Sequence, residues 1–239
     1  MFNSLIKKFT DDISEMSRKE HLYFWVIPIL VMGTLEFFYF SEIPVLVEII
    51  APKINWEWGI LENLQLVLIF GIISLAAFAV FRLDDSILKV GAGLICVFSV
   101  FVFLEETDYG AHFTQLVNGK MESYLYKYTG VYNLHNQGNN AKIFKRSVYP
   151  VIALLFLIAP FVEPSIRNRY IKYTVPPPRF AIPVVVGVLT GLTARSIVWL
   201  NIRKDGGLGV NIGEFTELVM YYIFFLYVAH LIFKKRLPT

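Results

Sequence analysis

Seventeen residues, Ile87 to Phe103, carry a single charge, Lys89, and run straight into Leu104-Glu105-Glu106-Thr107-Asp108-Tyr109-Gly110-Ala111-His112. An apolar stretch this long approaches the roughly 20 residues that a helix needs to cross a bilayer. Backbone inside hydrocarbon must satisfy its own hydrogen bonds, so such a stretch has little choice but to be helical. Similar runs recur at Leu22 to Phe40, Gly59 to Phe81, Ala181 to Leu200 and Gly213 to Phe233, with a shorter one at Ser147 to Val162 that holds Pro150 and Pro160. The expected fold is therefore all-α: a polytopic membrane helix bundle of about six transmembrane helices. With 56% hydrophobic residues the chain has no room for a large soluble domain.

The segments between the runs complete the organisation. In residues 1–21, Phe2, Leu5, Ile6, Phe9, Ile13 and Met16 recur at helical spacing among Lys7, Lys8, Asp11, Asp12 and Glu15, which predicts an amphipathic interfacial helix. Residues 22–239 read as one bundle domain, with a long outer loop at about 107–146 that is rich in Tyr, Asn and Gly and folds back as a cap. The first twenty residues are too charged for a cleavable signal peptide. The lone Cys96 excludes an intrachain disulfide. The formal net charge is only +3, and Lys and Arg collect between spans rather than in a phosphate-tracking stripe, so no nucleic-acid partner is expected. Lys7, Lys8, Arg18, Lys19, Arg82, Lys89, Arg167, Arg169, Lys172, Arg179 and the closing Lys234-Lys235-Arg236 fall on one side of the predicted bundle. The positive-inside rule then places both termini in the cytoplasm, in the inner (plasma) membrane.

That topology gathers polar residues at the other, outer boundary. Glu36, Glu62, Glu105, Glu106, Asp108, His112, Arg195, Glu214 and Glu217 all lie near it, together with Asn133, His135 and Asn136 of the loop. At 1.5 Å rise per residue their depths agree to about 10 Å. If the third span continues through Gly110, Glu105, Asp108, His112 and Gln115 share one helix face. Acids at a helix C-terminus oppose the macrodipole by about 0.3 to 1 kcal/mol each, so they require a proton, a basic group or a metal as compensation. Each residue also has a structural reading. Glu62, Glu214 and Glu217 suit helix starts, Arg195 can snorkel to headgroups, and His135 can be an ordinary loop residue.

The Glu105-Glu106-Thr107-Asp108-Tyr109-Gly110 stretch, followed later by Asn133-Leu134-His135-Asn136, resembles the pattern of a group of uncharacterised bacterial multi-span membrane proteins, which pair E-E-x-x-aromatic-Gly at the end of a span with a later N-L-H-N. Asp108-Tyr109 stands where that pattern has Ser-Trp, and the resemblance carries no activity with it.

Three functional classes follow from the residues. In a metal-dependent hydrolase acting on a lipid or lipid-linked substrate, Asp108, His112, His135, Glu214 and Glu217 would bind a divalent metal such as Zn, Mn or Fe. Glu105 and Glu106 would be catalytic, with Glu106 activating a water, and Glu62, Arg195, Asn133 and Asn136 would complete the pocket. In a cation- or proton-coupled transporter or channel subunit the same acids form the ion site. In a non-catalytic partner or sensor subunit they fix helix register within a homo- or hetero-oligomer held together through membrane helices.

Overall fold

The structure, a computed structural model, describes residues 2–53, 58–134, 140–200 and 208–233. It is helical, with no strand among the described residues, and five of its helices are long and apolar enough to cross a membrane. In chain order the helices are α1 (Phe2–Ser14), α2 (Arg18–Phe40), α3 (Pro44–Ile50), α4 (Ile60–Arg82), α5 (Ser86–Glu106), α6 (Ala111–Asn118), α7 (Tyr124–Thr129), α8 (Asn140–Ile152), α9 (Ala159–Val162), α10 (Arg169–Thr174), α11 (Ala181–Trp199) and α12 (Leu208–Phe233). The five long apolar ones are α2, α4, α5, α11 with the turn before it, and α12. The remaining expected span, Ser147–Val162, is apolar but shorter. It is broken by a π-helical segment at Ala153–Ile158 between its two prolines, where missing N–H donors and ring clashes disturb the i to i−4 ladder.

The bundle centres on α12, which packs against α4 on one side and α11 on the other, while α5 packs along α4. Close approach is set by small residues. Ala76 and Ala79 of α4 and Ala92 of α5 are buried in one cluster with Val228 and Ile232 of α12. A Cβ built on Gly187 of α11 would stand 2.7 Å from Cγ1 of Val219, so only glycine allows that contact. A second cluster joins Met32, Leu35 and Tyr39 of α2 to Phe156, Phe180, Phe215, Leu218 and Tyr227. Outward residues such as Phe70, Phe81, Leu94 and Val97 are apolar and exposed, as lipid contact requires.

The amphipathic N-terminal helix is tied down. Phe9 and Ile13 pack against the main cluster and Met16 is buried in it. The Arg179 guanidinium clamps Asp12, with Nη2 at 2.5 Å from Oδ1, and also pairs with Glu20. Lys8 Nζ donates to the carbonyl of Pro160 at 2.6 Å. This end of the bundle is opposite the acids.

The long connection after α5 has more helix than its composition suggests, since α6 and α7 form within it and α8 begins at Asn140. Thr114 Oγ1 accepts from the backbone N–H of Glu122 at 2.8 Å and donates to its carbonyl at 3.0 Å, which closes the turn after α6. His135 and Asn136 lie outside the described residues.

Candidate functional site

The third span does not continue through Gly110. Helix α5 ends at Glu106, and Asp108, Tyr109 and Gly110 take φ values of 49°, 53° and 90°. Three left-handed residues in a row put a kink between α5 and α6, so Glu105, Asp108, His112 and Gln115 do not share one continuous helix face. Glycine adopts this conformation freely and aspartate tolerates it, but for tyrosine it is strained. Strained backbone of this kind costs about 1 to 3 kcal/mol per residue and persists where surrounding contacts hold it.

Those contacts are on the acids. At this kink the Tyr109 hydroxyl lies against Glu105, where it donates to Oε1 at 2.5 Å. The other Glu105 oxygen accepts the backbone N–H of Leu134 at 2.8 Å. Asp108 accepts the side-chain amide of Asn133 on Oδ1, and His112 Nε2 stands 3.2 Å from its Oδ2. Asn133 and Leu134, more than twenty residues further along the chain, thus close over Glu105 and Asp108. Burial and the hydrogen bond to Glu105 push the Tyr109 phenol up to about 12. It stays a proton donor across the neutral range.

Glu106 faces the bundle instead. Its Oε1 accepts the Tyr221 hydroxyl of α12 at 2.7 Å. It stands at the junction of two cavities, since it belongs to the lining of both. The larger, about 320 Å³, runs among α4, α5 and α12 and is walled by side chains such as Ile72, Phe98, Val102, Met220 and Phe224. Its polar residues include Glu105, Glu106, Glu217, Ser99 and Tyr221. The smaller, about 70 Å³, brings Glu106 together with Glu62, Gln65 and His112 under Trp58, Phe113 and Leu116. Glu62 and His112 are buried, and Gln65 is only 1% exposed. The Gln65 amide donates to the Glu214 carbonyl at 3.2 Å and to Glu214 Oε2 at 3.3 Å.

Glu62, Glu105, Glu106, His112 and Glu217 therefore line two adjoining cavities, with Glu214 held beside them by Gln65. Asn133 joins through Asp108. Arg195 is exposed on α11 and is absent from both linings. Tyr109 and Tyr221, which donate to the two central carboxylates, were not among the residues expected from sequence. For Tyr221 a signal existed, because Glu214, Glu217 and Tyr221 follow at i, i+3 and i+7 on one face of α12.

The described donors do not form a metal set. Among the described residues no three of His, Cys, Asp and Glu converge closely enough to hold an ion. Both oxygens of Glu105 accept from protein donors, and Asp108 is shared between Asn133 and His112.

No family model, no curated protein and no solved structure matches this chain.

Proposed function

We propose that the protein is a membrane-embedded hydrolase acting on a lipid or lipid-linked amphiphile. The apolar cavity takes the chain, and the head lies at the acids. The observation that carries this reading is the position of Glu106, between an apolar cavity of about 320 Å³ and a polar one of about 70 Å³. Volumes near the larger figure are those of small-molecule sites, and an apolar wall with a few convergent polar groups is their usual composition. An amphiphile seated across the junction brings the bond between chain and head against Glu106. There the carboxylate acts as general base toward the attacking water, with Tyr221 orienting it through the 2.7 Å hydrogen bond. Glu105, saturated by Tyr109 and Leu134, holds the Asn133-Leu134 segment over the site.

Among the described residues Asp108 and His112 are a pair, not a metal set, and no step here passes through a metal. The basic segments at the α1 end favour the cytoplasm for that end and the outer face of the plasma membrane for the acids.

The test is hydrolysis of a total bacterial lipid extract by the reconstituted full chain, read as released fatty acid and water-soluble head. Glu106→Gln should lower the rate by about 100-fold or more, the scale of a lost general base. Wild-type protein that releases nothing, or a Glu106→Gln variant as active as wild type, removes the reading.

A further inference from the structure

The larger cavity stops part-way through the bundle, and two residues mark where. Along α5 its lining reaches from Glu106 to Ile95, eleven residues, which at 1.5 Å each is about 17 Å. Beyond it lies a further apolar cavity of about 280 Å³ against the same three helices, α4, α5 and α12. Ile95 of α5 and Val228 of α12 line both, and no other described residue does. The second cavity has its room beside the small residues Ala76 and Ala79 of α4 and Gly91 and Ala92 of α5, and follows α5 to Ile87, about 12 Å further. From Glu106 to Ile87 is thus about 29 Å, close to the ~30 Å of a whole hydrocarbon core, whereas Glu106 to Ile95 is about the depth of one leaflet.

Ile95 and Val228 are both β-branched. On a helix such a side chain keeps one χ1 rotamer in about 90% of cases, so it does not readily swing aside. Val228 is also buried, 5% exposed, in the cluster of α4, α5 and α12 against which Ile95 packs. Resting on the reading of the larger cavity as the chain site, we infer that Ile95 and Val228 are its end wall and set the length of chain the protein accepts. Both cavities are walled almost wholly by apolar side chains, so polarity does not sort one hydrocarbon chain from another there, and length does. A chain that ends at the wall keeps every contact along α5 and α12. A longer one meets two branched side chains and must bend out of the groove, forfeiting contacts that a matched chain keeps. The substrate class is thus an amphiphile whose alkyl or acyl chain is about one leaflet long. A carrier chain long enough to cross the core, such as a polyisoprenoid, is rejected.

Native mass spectrometry of the full chain with an equimolar mixture of dodecanol and tetracosanol reads chain length alone, because the two heads are identical. Wild type should hold dodecanol over tetracosanol by at least ~10-fold, the lower end of what one misfitted methylene is worth in an apolar pocket. Ile95→Ala joins the two cavities and should bring that ratio to about 3-fold or less. Gly91→Phe is the complementary variant, since a Cβ there meets nothing within 4 Å and the ring has the second cavity to fill. Alone it should leave dodecanol binding as in wild type, and added to Ile95→Ala it should restore the preference. Equal occupancy of wild type by both alcohols overturns the wall whether or not any variant folds. Loss of dodecanol from Gly91→Phe, or a folded Ile95→Ala that keeps the wild-type ratio, overturns it too. Each of these leaves the hydrolase reading standing. A wild type that binds neither alcohol sinks the chain cavity itself, and the hydrolase reading goes with it.

Discussion

Tyr109 shows how one strained residue serves the site. Its left-handed backbone, at φ 53°, is what brings the hydroxyl to 2.5 Å from Glu105. Tyr109→Phe keeps the ring and removes the donor, leaving a buried carboxylate short of one hydrogen bond, so it should destabilise the protein by about 1 to 3 kcal/mol in thermal unfolding. The same bond sets a pH dependence. Burial and Glu105 raise the phenol from 10.0 to about 12, so the folded state holds this proton more tightly than the unfolded chain does. Its contribution is complete below pH 10 and is lost as pH rises toward about 12. Unfolding temperatures recorded across that range should fall more steeply for wild type than for Tyr109→Phe, and parallel curves would contradict the assignment. Gly110, at φ 90°, completes the kink, and Gly110→Ala should cost about 1 to 2 kcal/mol because a Cβ is disfavoured there.

At the scale of elements, the contacts that hold helices together are of two kinds. Inside the bundle they are close packing. Gly187 of α11 meets Val219 of α12 so tightly that an added Cβ would stand 2.7 Å from Cγ1 and 3.3 Å from Cβ of that valine. Val219 is branched and cannot swing away, so Gly187→Ala should destabilise by about 1 to 3 kcal/mol, the cost of overpacking. Gly33, where a Cβ meets nothing within 4 Å, is the matched control and should be neutral in the same assay. At the α1 end the contact is electrostatic. Arg179 and Asp12 are 14% and 12% exposed at their side chains, and Glu20 shares the guanidinium. Arg179→Ala leaves the shielded Asp12 without its guanidinium, while Glu20 is 38% exposed at its side chain and keeps the Ser17 backbone N–H, so a loss of about 3 kcal/mol follows mainly from Asp12, with α1 cut by protease before the rest of the bundle. Asp12→Asn should do less, because the amide still accepts from the Arg179 backbone N–H.

For the whole molecule, the charged N-terminal end and the acid-bearing end lie at opposite ends of the helices, and the proposed orientation puts them on opposite sides of the membrane. Single cysteines at Asn3 and Tyr128, both exposed, in a Cys96→Ala background test it. An impermeant thiol reagent on intact cells should label the second and spare the first, and the reverse pattern would invert the proposed orientation. The sequence by itself determined that the chain is a bundle of apolar helices, because hydrocarbon leaves the backbone no alternative and length alone marks each crossing. It also determined that Glu62, Glu105, Glu106 and Glu217 lie near one boundary, because position along a spanning helix is depth. What it could not contain is which way each side chain turns, since helices this apolar carry no strong amphipathic stripe to fix their rotation. That was decided by tertiary packing. The kink at Asp108 to Gly110 broke the expected helix face and replaced it with contacts from Asn133 and Leu134. The rotation of α12 against α4 and α5 turned Tyr221 onto Glu106 and Gln65 toward Glu214. Contacts between segments this distant in the chain have no local pattern to announce them. They follow from how small residues let the helices approach, which is a property of pairs of helices and not of any one of them.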